Sequence, residues 1–183
     1  TDQTLGTSGL RKPVPHIMQP HYVELFMQSV FDVVDVAGAT LVLGGDGRFF
    51  NDRAIQTILK MAVANRVSHV VVGRGGLLST PAASALIRAR KAKAGIILSA
   101  SHNEGGPEGD FGIKYNLANG GPANEVFTDA VFQRTQQISA YRTVDTPEVD
   151  LGRLGNAAIG EMIVTVIDPV SDYAELLESL FDF

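Results

Sequence analysis

Apolar residues along the chain follow two different spacings. Three short and nearly continuous apolar runs, each bounded by Gly or Ser, are typical of strands covered on both faces; they span residues 40–44, 69–73 and 95–99. Beside these runs, apolar residues recur every three or four positions, as on one face of a helix, over 23–34 and 55–62. This alternation predicts an α/β fold: a single three-layer α/β/α sandwich with a mixed, largely parallel sheet.

Cap signals and turn formers set the limits of these elements. Asn51 or Asp52 is a suitable N-cap for the second helix, and a third helix is expected from Ser79, a hydroxyl cap followed by Thr80 and Pro81, to about Lys91. The remaining pattern predicts a long structured loop over 101–122, a helix over 123–141, a strand over 163–167 and a helix from 171 or 172 to 180. We therefore expect one domain over residues 1–183.

Composition and charge remove several classes of function. The 15 Lys and Arg against 20 Asp and Glu give a net charge of −5, which lacks the basic footprint of a general nucleic-acid binder. No run approaches the roughly 18 apolar residues of a bilayer-spanning helix, and the first residues lack a secretory pattern. We expect no nucleic-acid partner, no membrane and a cytoplasmic location. The absence of cysteine excludes disulfides and thiolate chemistry.

Ser101 follows directly on an apolar strand and opens a Gly-rich loop. Sites in parallel sheets lie beyond the carboxyl ends of the strands, so this hydroxyl is a candidate for chemistry. The nucleophile elbow of the α/β-hydrolases is excluded, because Ser99 and Asn103 stand where that motif needs Gly. Neither nucleotide-binding Gly pattern is present. From spacing alone, a pair of Ser101 and His102 that only caps a turn is the simpler interpretation.

Two further segments group anion-binding residue types. Residues 6–12 read GTSGLRK and combine small, hydroxyl and cationic side chains as an anion site would, although without further context a solvated N-terminal turn is the favoured interpretation. Lys114 lies on a short strand-like stretch at the end of the long loop, and by itself it is indistinguishable from a surface lysine. Neither segment is decisive alone.

Together, these segments resemble a known family. The chain is similar to the first domain of the α-phosphoglucomutases, in the phosphohexomutase superfamily, and the likeness spans essentially its whole length. The motifs that carry it are GTSGLRK at 6–12, VLGGDGR at 42–48, GGLLSTPA at 75–82, SASHN at 99–103, GGP at 105–107, GDFGIKYN at 109–116, NGGP at 119–122 and LFDF at 180–183. One departure is Glu104, where the family often has Pro.

The resemblance implies a set of roles. Ser101 would carry a phosphoryl group, and the implied catalytic residues are Ser101, Lys114, Arg11 and His102. Substrate and phosphoryl binding would also involve Thr7, Ser8 and Asn103. The implied reaction interconverts glucose 1-phosphate and glucose 6-phosphate through glucose 1,6-bisphosphate, with Lys114 as acid or base toward the sugar hydroxyl.

The resemblance also implies parts that this sequence lacks. In the family, Mg²⁺ is bound by a phosphoserine oxygen, here on Ser101, and by aspartates of a second domain. The third and fourth domains supply the sugar and distal phosphate loops. We therefore expect domains II to IV to belong to the same polypeptide and this piece to be inactive alone. A mutase of another hexose phosphate, such as a phosphomannomutase, and a noncatalytic partner-binding member remain as alternatives.

Overall fold

The computed structural model describes residues 2–6 and 9–182. Its strands are β1 (Leu10–Pro13), β2 (Thr40–Gly45), β3 (His69–Leu77), β4 (Ala94–Leu98), β5 (Asp110–Leu117), β6 (Gly155–Ile159) and β7 (Met162–Ile167). Its helices are α1 (Val14–Ile17), α2 (Tyr22–Val34), α3 (Asn51–Ala64), α4 (Thr80–Ala89), α5 (Glu125–Gln137) and α6 (Ser171–Leu180). No helix in this described part is long and apolar enough to cross a bilayer.

The strands form one mixed sheet in the order β1-β5-β4-β2-β3-β7-β6. The inner strands β4, β2, β3 and β7 pair in parallel, whereas β5 and β6 run against their neighbours. Since β1 is antiparallel to β5, it shares the direction of the inner strands. The predicted mixed and largely parallel sheet is confirmed.

Helices cover both faces of the sheet. The larger core packs α2, α3 and one buried residue of α5, Val131, against one face, and the smaller core packs α4 against the other. All of β4 and all of β2 after Thr40 are buried, because each strand is covered on both sides. The predicted three-layer α/β/α sandwich is therefore confirmed.

Helix limits follow the sequence signals in part. As predicted, the Ser79 side chain caps α4 by accepting from the Ala82 amide at 3.3 Å. The predicted cap of α3 is wrong, because Phe50 occupies the N-cap position in a left-handed conformation. Asn51 instead begins that helix and donates from its side chain to the Gly76 carbonyl.

The expectation of one long loop over 101–122 is wrong for its second half. Residues 110–117 form β5, a strand paired on both sides with β1 and β4. The turn-forming residues of this segment concealed the strand. One of them, Gly112, is required within the strand itself, because a Cβ there would stand 2.2 Å from the Ser99 carbonyl oxygen. The strands β1 and β6 and the short helix α1 were not predicted either.

Candidate active site

The site lies at a switch point of the sheet. The neighbouring strands β2 and β4 continue in opposite directions, β2 to β3 on one side and β4 to β5 on the other. Such a divergence opens a crevice beyond the carboxyl ends of the strands. The Asp46 amide donates to the Leu98 carbonyl at 3.1 Å and joins the two strand ends. The segments after β2 and β4 therefore meet in this crevice.

Ser101 stands at the mouth of the crevice in a constrained conformation. Its side chain is exposed and its φ is 57°, in the left-handed region that a residue with a Cβ rarely adopts. Such a conformation costs about 1–3 kcal/mol and persists only where the surroundings impose it. The Ser101 amide donates to the Ser99 hydroxyl oxygen at 3.0 Å. The serine is therefore held outward, accessible to a ligand.

Lys114 is the nearest cation to the serine oxygen. It lies on β5 opposite Ile97 of β4, and its Nζ donates to Ser101 Oγ at 2.8 Å. Burial lowers the pKa of Lys114 below its ordinary value, the charges of Arg11 and Arg48 lower it further, and Asp46 partly opposes them. A cavity of about 230 Å³ opens beside Lys114. This lysine is thus half-buried and directed at the serine, which a surface lysine would not be.

A second cation reaches the same loop. Arg11 lies on the edge strand β1, and its Nη1 donates to Asn103 Oδ1 at 3.2 Å. The Asn103 side chain in turn donates to Asp110 Oδ2 at 2.6 Å, so it connects the edge strand to the start of β5. The rest of the Arg11 guanidinium makes no hydrogen bond within residues 2–6 and 9–182. As far as the described residues show, Arg11 therefore has donors available for an anion near Ser101.

An aspartate and an arginine after β2 complete the site. Arg48 donates from Nε and Nη2 to the Asp46 carboxylate, at 2.8 Å for the closest pair. Burial opposes ionisation of Asp46, but hydrogen bonds from Arg48 and Ser99 outweigh it, so the pKa of this carboxyl is lowered. Sequence reasoning missed both residues as site members, although the position of Asp46 directly after an apolar strand is a signal that could have found them.

The other site residues expected from the sequence are His102, Thr7 and Ser8. His102 is exposed and makes no hydrogen bond to any described residue, so no contact here supports a catalytic part for it. Thr7 and Ser8 lie outside the described residues. Ser101, Lys114, Arg11 and Asn103 are brought together at one edge of the sheet. Their arrangement fits a hydroxyl that gains and loses a phosphoryl group among cations.

A metal centre made by this chain alone is not supported. No group of three or more His, Cys, Asp or Glu in the described ranges 2–6 and 9–182 could hold an ion. Mg²⁺ favours carboxylates together with phosphate oxygens. The Asp46 carboxylate, which lies in the crevice, is already paired with Arg48.

Comparison with known proteins gives one family match and several close relatives. Residues 2–142 match the family described as "Phosphoglucomutase/phosphomannomutase, alpha/beta/alpha domain I". A phosphoglucomutase of Rhizobium radiobacter is 55% identical over 183 residues, with 100% of this chain and 34% of that protein covered. One from Schizosaccharomyces pombe is 54% identical, with 99% and 33% covered. The chain thus spans about a third of the length of these relatives.

Among solved structures, the fold superposes on a eukaryotic relative. This is the open form of the exocytosis-sensitive phosphoprotein pp63/parafusin, a phosphoglucomutase from Paramecium. The TM-score is 0.94 at 42% identity, and the match covers 100% of this chain and 35% of that one. The similarity therefore includes the strand order and both helical layers.

Proposed function

Because the chain belongs to the phosphoglucomutase/phosphomannomutase family and corresponds to its α/β/α domain I, we propose that Ser101 is the phosphoryl carrier of a hexose phosphate mutase. The complete protein would interconvert glucose 1-phosphate and glucose 6-phosphate. The observation that carries the proposal is the 2.8 Å contact from Lys114 Nζ to the oxygen of an exposed, conformationally constrained Ser101.

The proposed cycle consists of two phosphoryl transfers. First, a sugar hydroxyl oxygen attacks the phosphorus on Ser101, the P–Oγ bond breaks, and the hydroxyl proton passes to a base. The product of this half is glucose 1,6-bisphosphate. Then Ser101 Oγ attacks the other phosphoryl group, its P–O bond to the sugar breaks, and a proton returns to the sugar oxygen. The serine ends phosphorylated again, so the sugar is isomerised without net loss of phosphate.

The local charges suit this chemistry. A phosphoserine carries about −1.5 to −2 charges, which an acidic chain must balance locally. Arg11 and Lys114 provide two cations at the loop, and phosphoryl transfer depends mainly on such positioning and charge stabilisation. The lowered pKa of Lys114 increases its neutral fraction near neutral pH, which suits exchange of a proton with a sugar hydroxyl.

Mg²⁺ is the proposed cofactor of the complete protein. When bound to a phosphoryl oxygen, it would neutralise part of the charge on the transferred group. This chain would contribute the oxygen on phosphorylated Ser101, and a second domain would contribute the carboxylates. We accordingly propose residues 1–183 as domain I, with domains II to IV of the same polypeptide as its partners. The cytoplasmic location stays a prediction.

The test compares three proteins in a coupled assay for glucose 6-phosphate. The complete polypeptide should be active with Mg²⁺ and glucose 1,6-bisphosphate, its Ser101→Ala variant should be inactive, and residues 1–183 alone should be inactive. Ser101→Ala removes only an exposed hydroxyl, so folding should be retained. Undiminished turnover by the Ser101→Ala variant would refute the carrier, and full turnover by residues 1–183 would refute the need for further domains.

The alternatives separate when mannose 1-phosphate is also supplied and the mannose 6-phosphate formed is measured beside glucose 6-phosphate. A mutase of another sugar would prefer mannose 1-phosphate to glucose 1-phosphate while still requiring Ser101. A noncatalytic member would turn over neither sugar and would not become phosphorylated. Lys114 contacts the Ser101 hydroxyl, and Arg11 contacts Asn103 of the same loop; this favours an enzyme, since function is inferred from the site and not from the fold.

A further inference from the structure

The Arg48 guanidinium donates hydrogen bonds to three groups of the protein. Its Nε and Nη2 donate to the Asp46 carboxylate, its Nη1 donates to the Asp110 carbonyl at 2.7 Å, and its Nη2 also donates to the Ser101 carbonyl at 3.2 Å. Its side chain is only 7% exposed. A substrate would therefore find most of this guanidinium already occupied by the protein itself.

The two carbonyls that Arg48 contacts lie at the two ends of one loop. Ser101 is the third residue after the end of β4, and Asp110 is the first residue of β5. Asp46 fixes the guanidinium, because the fork of Arg48 donates two parallel hydrogen bonds to this one carboxylate. Through Arg48, the segment that follows β2 is therefore connected to both ends of the loop that carries Ser101.

The backbone of Ser101 is held on both sides by this arrangement. Its amide donates to the Ser99 hydroxyl, and its carbonyl accepts from Arg48. A left-handed residue with a Cβ needs such external restraint, and these contacts provide it. With the backbone fixed, the Ser101 hydroxyl stays within reach of Lys114.

We propose that Arg48 is a positioning residue: held by Asp46, it clamps the carbonyls of Ser101 and Asp110 and so keeps the Ser101 oxygen at Lys114. This inference rests on the proposed function of Ser101. It separates Arg48 from Arg11, whose guanidinium donates only to Asn103 within the described part of the chain. Loss of the clamp should impair the transfer step more than the binding of substrate.

The kinetic test replaces Arg48 in the complete polypeptide. Arg48→Met keeps most of the stem but removes every donor, and a misplacement near 1 Å costs about 10²-fold in rate. We expect kcat to fall about 10²-fold with KM changed less than about threefold, the pattern of a lost transition-state interaction. Arg48→Lys, which keeps the charge without the fork, should recover part of kcat. Arg53→Met is the matched control, since Arg53 is exposed and packs over the Phe50 ring.

A second measurement separates this proposal from the proposed function. NMR carbon shifts of Ser101 in residues 1–183 report its left-handed backbone without any turnover. The clamp predicts that this signature weakens in Arg48→Met and persists in Arg53→Met, even if the wild-type protein isomerises no sugar phosphate. An unchanged Ser101 signature in a folded Arg48→Met variant would overturn the clamp. So would a raised KM with unchanged kcat, because Arg48 would then bind substrate directly.

Discussion

Gly112 offers a quantitative test of how closely β5 approaches the serine loop. An alanine Cβ at this position would stand 2.2 Å from the Ser99 carbonyl oxygen, 2.9 Å from its carbon and 3.2 Å from Ala100 Cα. All three are backbone atoms, so no side chain can rotate away. The oxygen would have to withdraw by about 1 Å to reach the 3.4 Å at which ordinary contact begins. Ser99 and Ala100 lead directly into Ser101.

Gly112→Ala should therefore affect stability and catalysis together. Overpacking of this kind costs about 1–3 kcal/mol of unfolding free energy. A shift near 1 Å in the segment before Ser101 should lower kcat about 10²-fold. Urea unfolding of residues 1–183 measures the first effect, and initial rates of the complete polypeptide measure the second.

The control is an alanine where a glycine has room. Gly105 lies in the same loop, and an added Cβ there would have Arg48 Cβ, at 4.0 Å, as its nearest neighbour. Gly105→Ala should leave the unfolding free energy within about 0.5 kcal/mol of wild type. If Gly112→Ala were as stable and as active as this control, the close approach of β5 to the Ser99 carbonyl would be refuted.

Three other substitutions test separate parts of the account. Arg11→Met removes a positive charge that lowers the pKa of Lys114, so that pKa should rise and the acidic limb of the kcat profile, where Lys114 becomes neutral and can act as a base, should move to higher pH; a limb at unchanged or lower pH would contradict this. Phe111→Ala empties a fully buried site beside the Phe50 ring and should cost about 3–5 kcal/mol in urea unfolding, and a loss below about 1 kcal/mol would oppose the packing described. Asn103→Ala removes the bridge from Arg11 to Asp110 and should lower the unfolding free energy by about 1 kcal/mol, whereas no change would argue against the bridge.

The elements that the sequence predicted share one property. The sequence predicted β2, β3, β4 and β7 because each contains an apolar run. Such a run marks a strand that is buried on one face or on both. The strands that were missed lack it: β1 reads LRKP, and β6 is exposed in four of its five residues. In β5, Lys114 and Asn116 interrupt the apolar positions and serve the site and a turn instead.

The site was only partly predictable for a related reason. The proximity of Lys114 to Ser101 depends on the register of β5 against β4, where Lys114 lies opposite Ile97, and no spacing rule gives that register. The contacts of Arg48 end on main-chain carbonyls, which every residue has, so no residue type marks them in the sequence. Ser101 itself was found because a hydroxyl after an apolar strand is visible in the pattern.

The most direct measurement follows the phosphoryl group on Ser101. The complete polypeptide, labelled with radioactive phosphate on this serine and freed of excess label, is mixed with unlabelled glucose 1-phosphate and quenched within one turnover. The account predicts that label leaves Ser101, passes through glucose 1,6-bisphosphate and appears in glucose 6-phosphate at the rate of turnover. Label that stays on Ser101 while glucose 6-phosphate forms would contradict it.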